Sequence, residues 1–286
     1  MDSFDNGLPP DGANLASETP QPGPPQPPAF ERFPPDLRVS WGWFDIFVFI
    51  LVTLAAYFIS AVAIVAGFMA RGMSIQHLQN SPRSLALFVV LNTFCASIAQ
   101  LGYLYLRTRV LVGRPFWRSL GWWSFESLGL NPAQVAGYCI FSGVALSVLV
   151  NFLSNLVGHK HALPIELMFQ DRRSVLLLMI LAVTIAPLVE ETIFRGYIYP
   201  VMARSLGIPA AVILTGILFG LLHAMQLAGA WAQTSLLVFV GIVFTFVRAK
   251  SKTVLASYLT HLSYNGCIFI TTVIQTHGLR NIPFAH

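Results

Sequence analysis

The sequence carries little charge. Only 10% of its 286 residues are Asp, Glu, Lys or Arg, whereas 55% are hydrophobic and the mean hydropathy is +0.67. A soluble domain typically carries about 25% charged residues, so this composition excludes an ordinary water-soluble domain. The net charge of +5 does not indicate nucleic-acid binding, because surplus Lys and Arg usually mark the cytoplasmic loops of membrane proteins. We therefore expect the lipid bilayer, and no nucleic acid, as a partner.

Cysteine and several hydrolase motifs are also scarce. Cys95, Cys139 and Cys267 all lie in apolar stretches without a CxxC pair, which argues against a disulfide framework or a cysteine-based metal site. The chain has no HExxH motif, no pair of aspartates in its apolar segments and no recognisable serine nucleophile motif. These absences exclude the common HExxH-zinc, aspartyl and serine designs of membrane-embedded hydrolases.

Proline and acidic residues are concentrated at the start of the chain. Residues 1–38 hold more than half of the 18 prolines and half of the 12 acidic residues. The stretch ETPQPGPPQPP favours extended polyproline structure and cannot form a packed core. We predict that residues 1–40 form a disordered proline-rich tail. A ligand for a proline-recognising partner domain is the alternative interpretation.

The remaining chain is a series of apolar segments. A membrane-spanning helix needs about 20 predominantly apolar residues. We therefore predict an all-α, polytopic transmembrane helical bundle with about seven spans, at roughly 43–70, 85–106, 132–156, 174–202, 209–228, 234–249 and 253–275.

This bundle divides into two predicted parts. Residues 41–170 would form the N-terminal transmembrane helices, with a tryptophan-rich interfacial segment at 110–130, and residues 171–280 a C-terminal part. Lys and Arg are more numerous in the loops that share a side with the N-terminus, so we expect a cytoplasmic N-terminus in a plasma (inner) membrane. The sequence does not predict the oligomeric state.

The segment EETIFRG places charges inside the fourth predicted span. Ionisable groups at membrane depth are costly and tend to mark function. Glu191 and Arg195 are four residues apart in the order that favours a helical ion pair. Glu190 has no such cation, because position 194 is Phe, and it is therefore a candidate general base or acid. The alternative is that all three residues only join helices through a polar network.

Two further spans carry histidines. His223 follows the GxxxG pair Gly216 and Gly220, which would allow a neighbouring helix to approach closely. His261 and Asn265 share one face of the last span, where they could stabilise an oxyanion or orient a metal or a water. Interhelical hydrogen bonding alone is the simpler interpretation for each of them.

These residues are predicted to lie at overlapping depths on three helices. Such convergence is what a buried aqueous active site requires. The chemistry that remains is a water activated by glutamate and histidine, with or without a metal.

Taken together, the motifs resemble the type II CAAX prenyl endopeptidase family, also called the ABI or CPBP intramembrane proteases. The family pattern is EExxxR, FxxxH and HxxxN, matched here by Glu190, Glu191 and Arg195, by Phe219 and His223, and by His261 and Asn265. The step Phe194–Arg195–Gly196 also resembles the FRG that is common in the family. The resemblance covers about residues 174–275, and it implies that residues 171–280 form the CAAX-protease-like catalytic domain.

The resemblance implies a membrane-embedded endopeptidase. Glu190 and His223 would activate the attacking water, His261 and Asn265 would stabilise the oxyanion, and Glu191 and Arg195 would shape the site. A divalent metal, with zinc the expected ion, would be held by Glu190, His223 and His261, although a metal-free water suits these residues equally well. The expected substrate is a peptide or a lipidated protein.

Two other classes of function stay open at this stage. One is a non-catalytic membrane adaptor or bacteriocin-immunity protein on the same scaffold. The other is a secondary transporter with Glu190 as proton carrier, which would be expected to contain broken helices in two matching halves.

Overall fold

The computed structural model describes residues 33–157, 172–224, 227 and 230–279, and within these ranges it is helical without a strand. Most of the predicted tail lies outside the described residues, as do residues 158–171. Each of the seven predicted spans coincides with a helix or a continuous helical rod. The all-α prediction is confirmed.

The N-terminal part contains three long helices. The long helices α1 and α3 are separated by the short α2, and a short α4 precedes the long α5. The bounds are α1 Trp43–Met69, α2 Ile75–Asn80, α3 Pro82–Tyr105, α4 Phe116–Ser119 and α5 Pro132–Val157. A π-helical turn at Leu106–Val110 extends α3. Helix α1 begins where the Asp45 carboxylate accepts a hydrogen bond from the Gly42 N–H (2.9 Å), which satisfies one of the free donors of the first turn.

The C-terminal part begins with a continuous rod of 35 residues, Arg172–Leu206. It alternates α-helix with π-helical turns, in the order α6 Arg172–Ile180, π turn Leu181–Ile185, α7 Ala186–Glu191, π turn Thr192–Ile198 and α8 Tyr199–Leu206. Gly207 ends the rod at φ 82°, a conformation that favours glycine. Three helices follow, α9 Ile208–Leu222, α10 Trp231–Ser251 and α11 Val254–Gln275.

Five helical segments of the described chain are long and apolar enough to cross a bilayer: Trp43–Met69, Pro82–Val110, Pro132–Leu156, Arg172–Leu206 and Trp231–Ser251. Helix α9 is apolar but short, and α11 carries many polar side chains. These features are those of an integral membrane protein. The predicted fifth span reached residue 228, whereas α9 ends at Leu222, so His223 caps this helix rather than lying well inside it.

Glycine allows the C-terminal helices to pack closely. Helix α9 lies against α10, and α5 against α11. A Cβ added at Gly220 would lie 2.5 Å from the Val238 backbone N, and one at Gly241 would lie 2.8 Å from the Gly216 carbonyl. The predicted GxxxG pair therefore serves close contact between α9 and α10, as such pairs do in membrane bundles.

Two segments outside the long helices, residues 33–40 and the predicted interfacial segment 110–130, make hydrogen bonds with the rod Arg172–Leu206. Leu37 and Val39 are buried, so residues 33–40 of the predicted disordered tail are packed, because their apolar side chains have a surface to cover. Arg204 donates to the carbonyls of Val39 (3.0 Å) and Trp41 (2.6 Å). In the predicted interfacial segment, Trp122 donates from Nε1 to the Thr192 hydroxyl (3.1 Å).

Candidate active site

A cavity of about 670 Å³ lies between the N-terminal helices α1 and α3 and the C-terminal helices. Four of the predicted site residues line it: Glu190, His223, His261 and Asn265. Most of the other lining side chains are apolar, among them Phe88 on α3 and Phe269 on α11. Polar groups that converge on a mostly apolar cavity are typical of a ligand or active site.

The Glu190–Glu191 pair is carried by the short helix α7, between two π turns. Pro187 at its start has no N–H to give to the preceding turn. In the π register that N–H would reach the carbonyl of Ala182, five residues earlier. This carbonyl instead accepts a hydrogen bond from Nδ2 of Asn265 (2.8 Å). The missing backbone hydrogen bond of the rod is thus replaced by one from Asn265, which connects α11 to the rod at the site.

Glu191 and Arg195 form a fully buried ion pair behind the cavity. Both side chains are 0% exposed, and Nη1 of Arg195 lies 2.9 Å from Oε1 of Glu191. Arg195 also donates from Nη2 to the Gly241 carbonyl (2.8 Å) and from Nε to the Thr245 hydroxyl (3.2 Å). Its guanidinium carbon lies 4.7 Å from the centre of the Phe219 ring. These contacts fix the pair against α9 and α10 and compensate the cost of burying two charges.

His261 is oriented by this buried pair. Its Nδ1 donates to Oε1 of Glu191 (2.9 Å), and its ring stacks on Phe244 with centroids 4.5 Å apart. A carboxylate cannot donate, so the shared hydrogen belongs to the imidazole. Its second nitrogen, Nε2, then points toward Glu190, 3.9 Å from Oε2.

His223 presents its Nε2 to the same carboxylate from another helix. Its Nδ1 lies 2.8 Å from the Phe219 carbonyl and acts as the donor, because a carbonyl oxygen can only accept. Nε2 of His223 lies 4.0 Å from Oε1 of Glu190. Each oxygen of Glu190 therefore faces a different imidazole.

The gaps around Glu190 are too long for hydrogen bonds, which end near 3.2 Å for such atoms. They leave room for a small bridging group. Within 33–157, 172–224, 227 and 230–279, no three His, Cys, Asp or Glu side chains are close enough together to bind a metal directly. The donor types nevertheless fit zinc, and each Nδ1 is held by an oxygen acceptor, as it is in metal-bound histidines.

The structure brings all six predicted site residues together, in two groups. Glu190, His223, His261 and Asn265 face the cavity, while Glu191 and Arg195 lie behind it. Asn265 uses one of its two N–H groups for the Ala182 carbonyl, so only the rest of its carboxamide is available in the cavity.

Three residues of α10 were not singled out from the sequence: Gly241, Phe244 and Thr245. They hold Arg195 and His261, and Phe244 is fully buried. Gly241 and Thr245 are four residues apart and share a face, which is a signal that could have been used. The partner across that face could not be identified without the packing.

The comparisons with known proteins agree with the motifs. Neither the search of curated proteins nor the search of solved structures found a match. Residues 172–267 match the family model described as type II CAAX prenyl endopeptidase, Rce1-like. The match covers about a third of the chain, and it includes the rod, α9, α10 and most of α11 with all six site residues. The similarity predicted from the three motifs is confirmed: this part of the chain is similar to the Rce1-like type II CAAX prenyl endopeptidases.

Proposed function

We propose that the protein is an intramembrane endopeptidase in which Glu190 and His223 activate the attacking water. One observation carries this proposal: the Glu190 carboxylate faces Nε2 of His223 at 4.0 Å and Nε2 of His261 at 3.9 Å on the wall of a 670 Å³ cavity. A water in these gaps would contact the Glu190 carboxylate, which can act as a base, and the imidazoles of His223 and His261. The similarity of residues 172–267 to Rce1-like endopeptidases supports the same class of reaction.

The reaction follows from the roles that these groups can take. Glu190 accepts a proton from the water, and the water oxygen adds to the carbonyl carbon of the substrate. His261, when protonated on both ring nitrogens, and the second N–H of Asn265 would donate to the oxyanion that forms and stabilise it. The proton on Glu190 passes, with His223 as relay, to the departing amine nitrogen. The peptide bond is then replaced by a carboxyl group and an amine.

Glu191 and Arg195 position these groups without touching the substrate. The carboxylate of Glu191 receives hydrogen bonds from both Arg195 and His261 on the same oxygen. It fixes the His261 ring so that Nε2 is turned toward the cavity, and Arg195 keeps Glu191 ionised and in place.

A divalent metal is compatible with the same residues. Glu190, His223 and His261 would hold it, with zinc the ion that two imidazoles and a carboxylate favour. When bound, it would lower the pKa of a coordinated water and polarise the substrate carbonyl.

The substrate class follows from the cavity and from the family name. A cavity with mostly apolar walls, open between helices of a membrane protein, suits a peptide that carries a lipid or apolar side chains. We propose a lipidated or membrane-associated peptide as substrate, cleaved in the plasma (inner) membrane of a cell, with the N-terminus of the enzyme in the cytoplasm.

A cleavage assay in detergent tests the proposal. Wild type and Glu190→Gln are compared on a peptide library that includes prenylated C-terminal peptides, with and without a chelator. We expect cleavage by wild type and a loss of roughly 10²- to 10⁴-fold in the variant, the usual contribution of a general base. Undiminished cleavage by Glu190→Gln would refute the assigned mechanism. If the variant also retained the protein's biological effect, a non-catalytic adaptor or immunity role would replace it.

A further inference from the structure

The active-site cavity has a second wall, formed by helices that lie outside the family match. Its lining residues are Tyr57 of α1 and Phe88, Val89, Asn92 and Thr93 of α3. We call these five residues the α1–α3 wall. All of them precede residues 172–267, which match the Rce1-like model and contain the six site residues. The proposed reacting groups and the α1–α3 wall therefore come from different parts of the chain.

Two polar side chains of the α1–α3 wall lie near the middle of membrane-spanning helices. Tyr57 is close to the midpoint of Trp43–Met69, and Asn92 is close to the midpoint of Pro82–Tyr105. Polar groups at that depth are costly, so they are usually retained for a contact or a function. The Tyr57 phenol is also near enough to Glu190 for the two groups to interact electrostatically. The α1–α3 wall thus adjoins the proposed general base.

A contact between helices accounts for only one end of the Asn92 carboxamide. The Ser60 hydroxyl of α1 donates to Oδ1 of Asn92 and so joins α1 to α3. Nδ2 carries two N–H groups, and no described residue accepts a hydrogen bond from them. The Tyr57 hydroxyl likewise has no hydrogen-bond partner among the residues that the structure describes. These donors are therefore available to a ligand in the cavity.

A peptide in this cavity needs partners for its backbone. Most of the lining is apolar, and a backbone N–H or C=O that leaves water without a partner is costly. Glu190, His223 and His261 are assigned to the water and the oxyanion. Tyr264 of α11 also lines the cavity, but it is only 5% exposed, whereas Tyr57 is 38% exposed. The donors of the α1–α3 wall are therefore well suited to pair with the peptide backbone.

We propose that Asn92 and Tyr57 bind the backbone of the substrate peptide on the α1–α3 side of the cavity. Nδ2 of Asn92 and the hydroxyl of Tyr57 donate to carbonyl oxygens of the residues beside the scissile bond. This inference rests on the proposed function and assigns the holding of the peptide to the N-terminal half of the chain. Because both donors are neutral, they fit a peptide segment whose side chains carry no charge.

The test uses the full chain in detergent and one probe, a fluorescently labelled S-farnesylated hexapeptide without charged side chains. Cleavage gives KM and kcat. Fluorescence anisotropy gives the Kd in the Glu190→Gln background, where the probe should stay intact. The variants Asn92→Leu and Tyr57→Phe are measured in both ways.

Two control variants separate peptide binding from the packing of α1 on α3. Gln100→Leu is the matched control, because Nε2 of Gln100 lies 3.5 Å from Oγ1 of Thr53 at the same helix contact without lining the cavity. Ser60→Ala breaks the contact with Asn92 from the other side and leaves the carboxamide in place.

We expect Asn92→Leu to raise KM and Kd about tenfold and Tyr57→Phe to raise them about threefold, with kcat within about twofold of wild type. Each change removes a hydrogen bond to the bound peptide, which accounts for factors of this order. Gln100→Leu should leave both constants unchanged, and Ser60→Ala should raise them less than Asn92→Leu does. An equal rise in Gln100→Leu or Ser60→Ala, or an unchanged Kd in Asn92→Leu, would overturn the α1–α3 wall as a peptide site.

The two proposals can fail separately. Binding that depends on Asn92, without cleavage of the probe by wild type, would count against the protease and support the α1–α3 wall. Cleavage that depends on Glu190, with a wild-type KM in Asn92→Leu, would overturn the α1–α3 wall and leave the protease in place. A Glu190→Gln protein that does not bind the probe would also overturn the α1–α3 wall.

Discussion

Variants of the buried pair Glu191–Arg195 can distinguish a residue's contribution to stability from its contribution to cleavage. Both side chains are 0% exposed, and Arg195 makes hydrogen bonds to three oxygens: Oε1 of Glu191 and two in α10. In Arg195→Met the Glu191 carboxylate would stay buried without its guanidinium partner. Removing one partner of a buried pair typically costs about 3–5 kcal/mol. We therefore expect Arg195→Met to lower the free energy of unfolding by about that amount.

The double variant Glu191→Leu/Arg195→Met removes both charges. Apolar residues of similar volume often replace a buried ion pair at little cost. Here His261 Nδ1 loses its acceptor and the Gly241 carbonyl loses one donor, although Thr245 still donates to that carbonyl (2.7 Å). Unsatisfied groups of this kind cost about 1–3 kcal/mol, so the double variant should be more stable than Arg195→Met. Its cleavage activity should still be lost, because nothing orients His261.

The assay is equilibrium unfolding in mixed micelles, measured by tryptophan fluorescence against denaturant, beside peptide cleavage. Glu190→Gln is the matched control, because its side chain is 26% exposed and lies 3.9 Å or more from both histidines. It should change the stability by no more than about 0.5 kcal/mol while abolishing cleavage. The prediction is refuted if Arg195→Met unfolds at the same denaturant concentration as wild type, or if the double variant is less stable than Arg195→Met.

Three further predictions concern the helices that hold the site. Gly220→Ala should destabilise the protein by about 1–3 kcal/mol, since its Cβ would lie 2.5 Å from the Val238 N, whereas Gly67→Ala, with open space, should be near neutral in the same unfolding assay. Phe244→Ala should cost about 3–5 kcal/mol and reduce kcat, because it removes a fully buried ring stacked on His261; Phe244→Leu should retain more of both. Asn265→Asp should reduce kcat more than Asn265→Gln, because a carboxylate has no N–H for the Ala182 carbonyl; equal kcat values would contradict this.

Much of the fold could be predicted because apolar segments of membrane length have few alternatives to a helix. The seven predicted spans follow from hydropathy alone, which depends on local composition. The boundaries near the site were less predictable. Helix α9 ends at Leu222 although the apolar run continues, because hydropathy does not register where the backbone leaves the helix.

The site residues were predictable for a different reason. Charged and imidazole groups are so costly at membrane depth that the few present stand out from the sequence. The residues that hold them are uncharged and do not stand out. Gly241 and Phe244 resemble ordinary membrane-helix residues, and their roles depend on which helix faces α10. Likewise, Arg248 resembled a loop cation until the structure placed it against Asp36.

The two carboxylates of one dipeptide take opposite roles because of the backbone that carries them. Neighbouring residues on a helix point about 100° apart, so Glu191 turns into the contact with α10 and α11 while Glu190 turns to the cavity. The first is neutralised by Arg195 and used to orient His261; the second faces two imidazoles at distances that leave room for a water. Pro187 has no N–H to complete the backbone hydrogen bonds of this stretch, and Asn265 of α11 supplies the missing donor. The hydrogen bond that the rod lacks at Pro187 is therefore replaced by a contact that holds α11, and with it His261, near the Glu190 carboxylate.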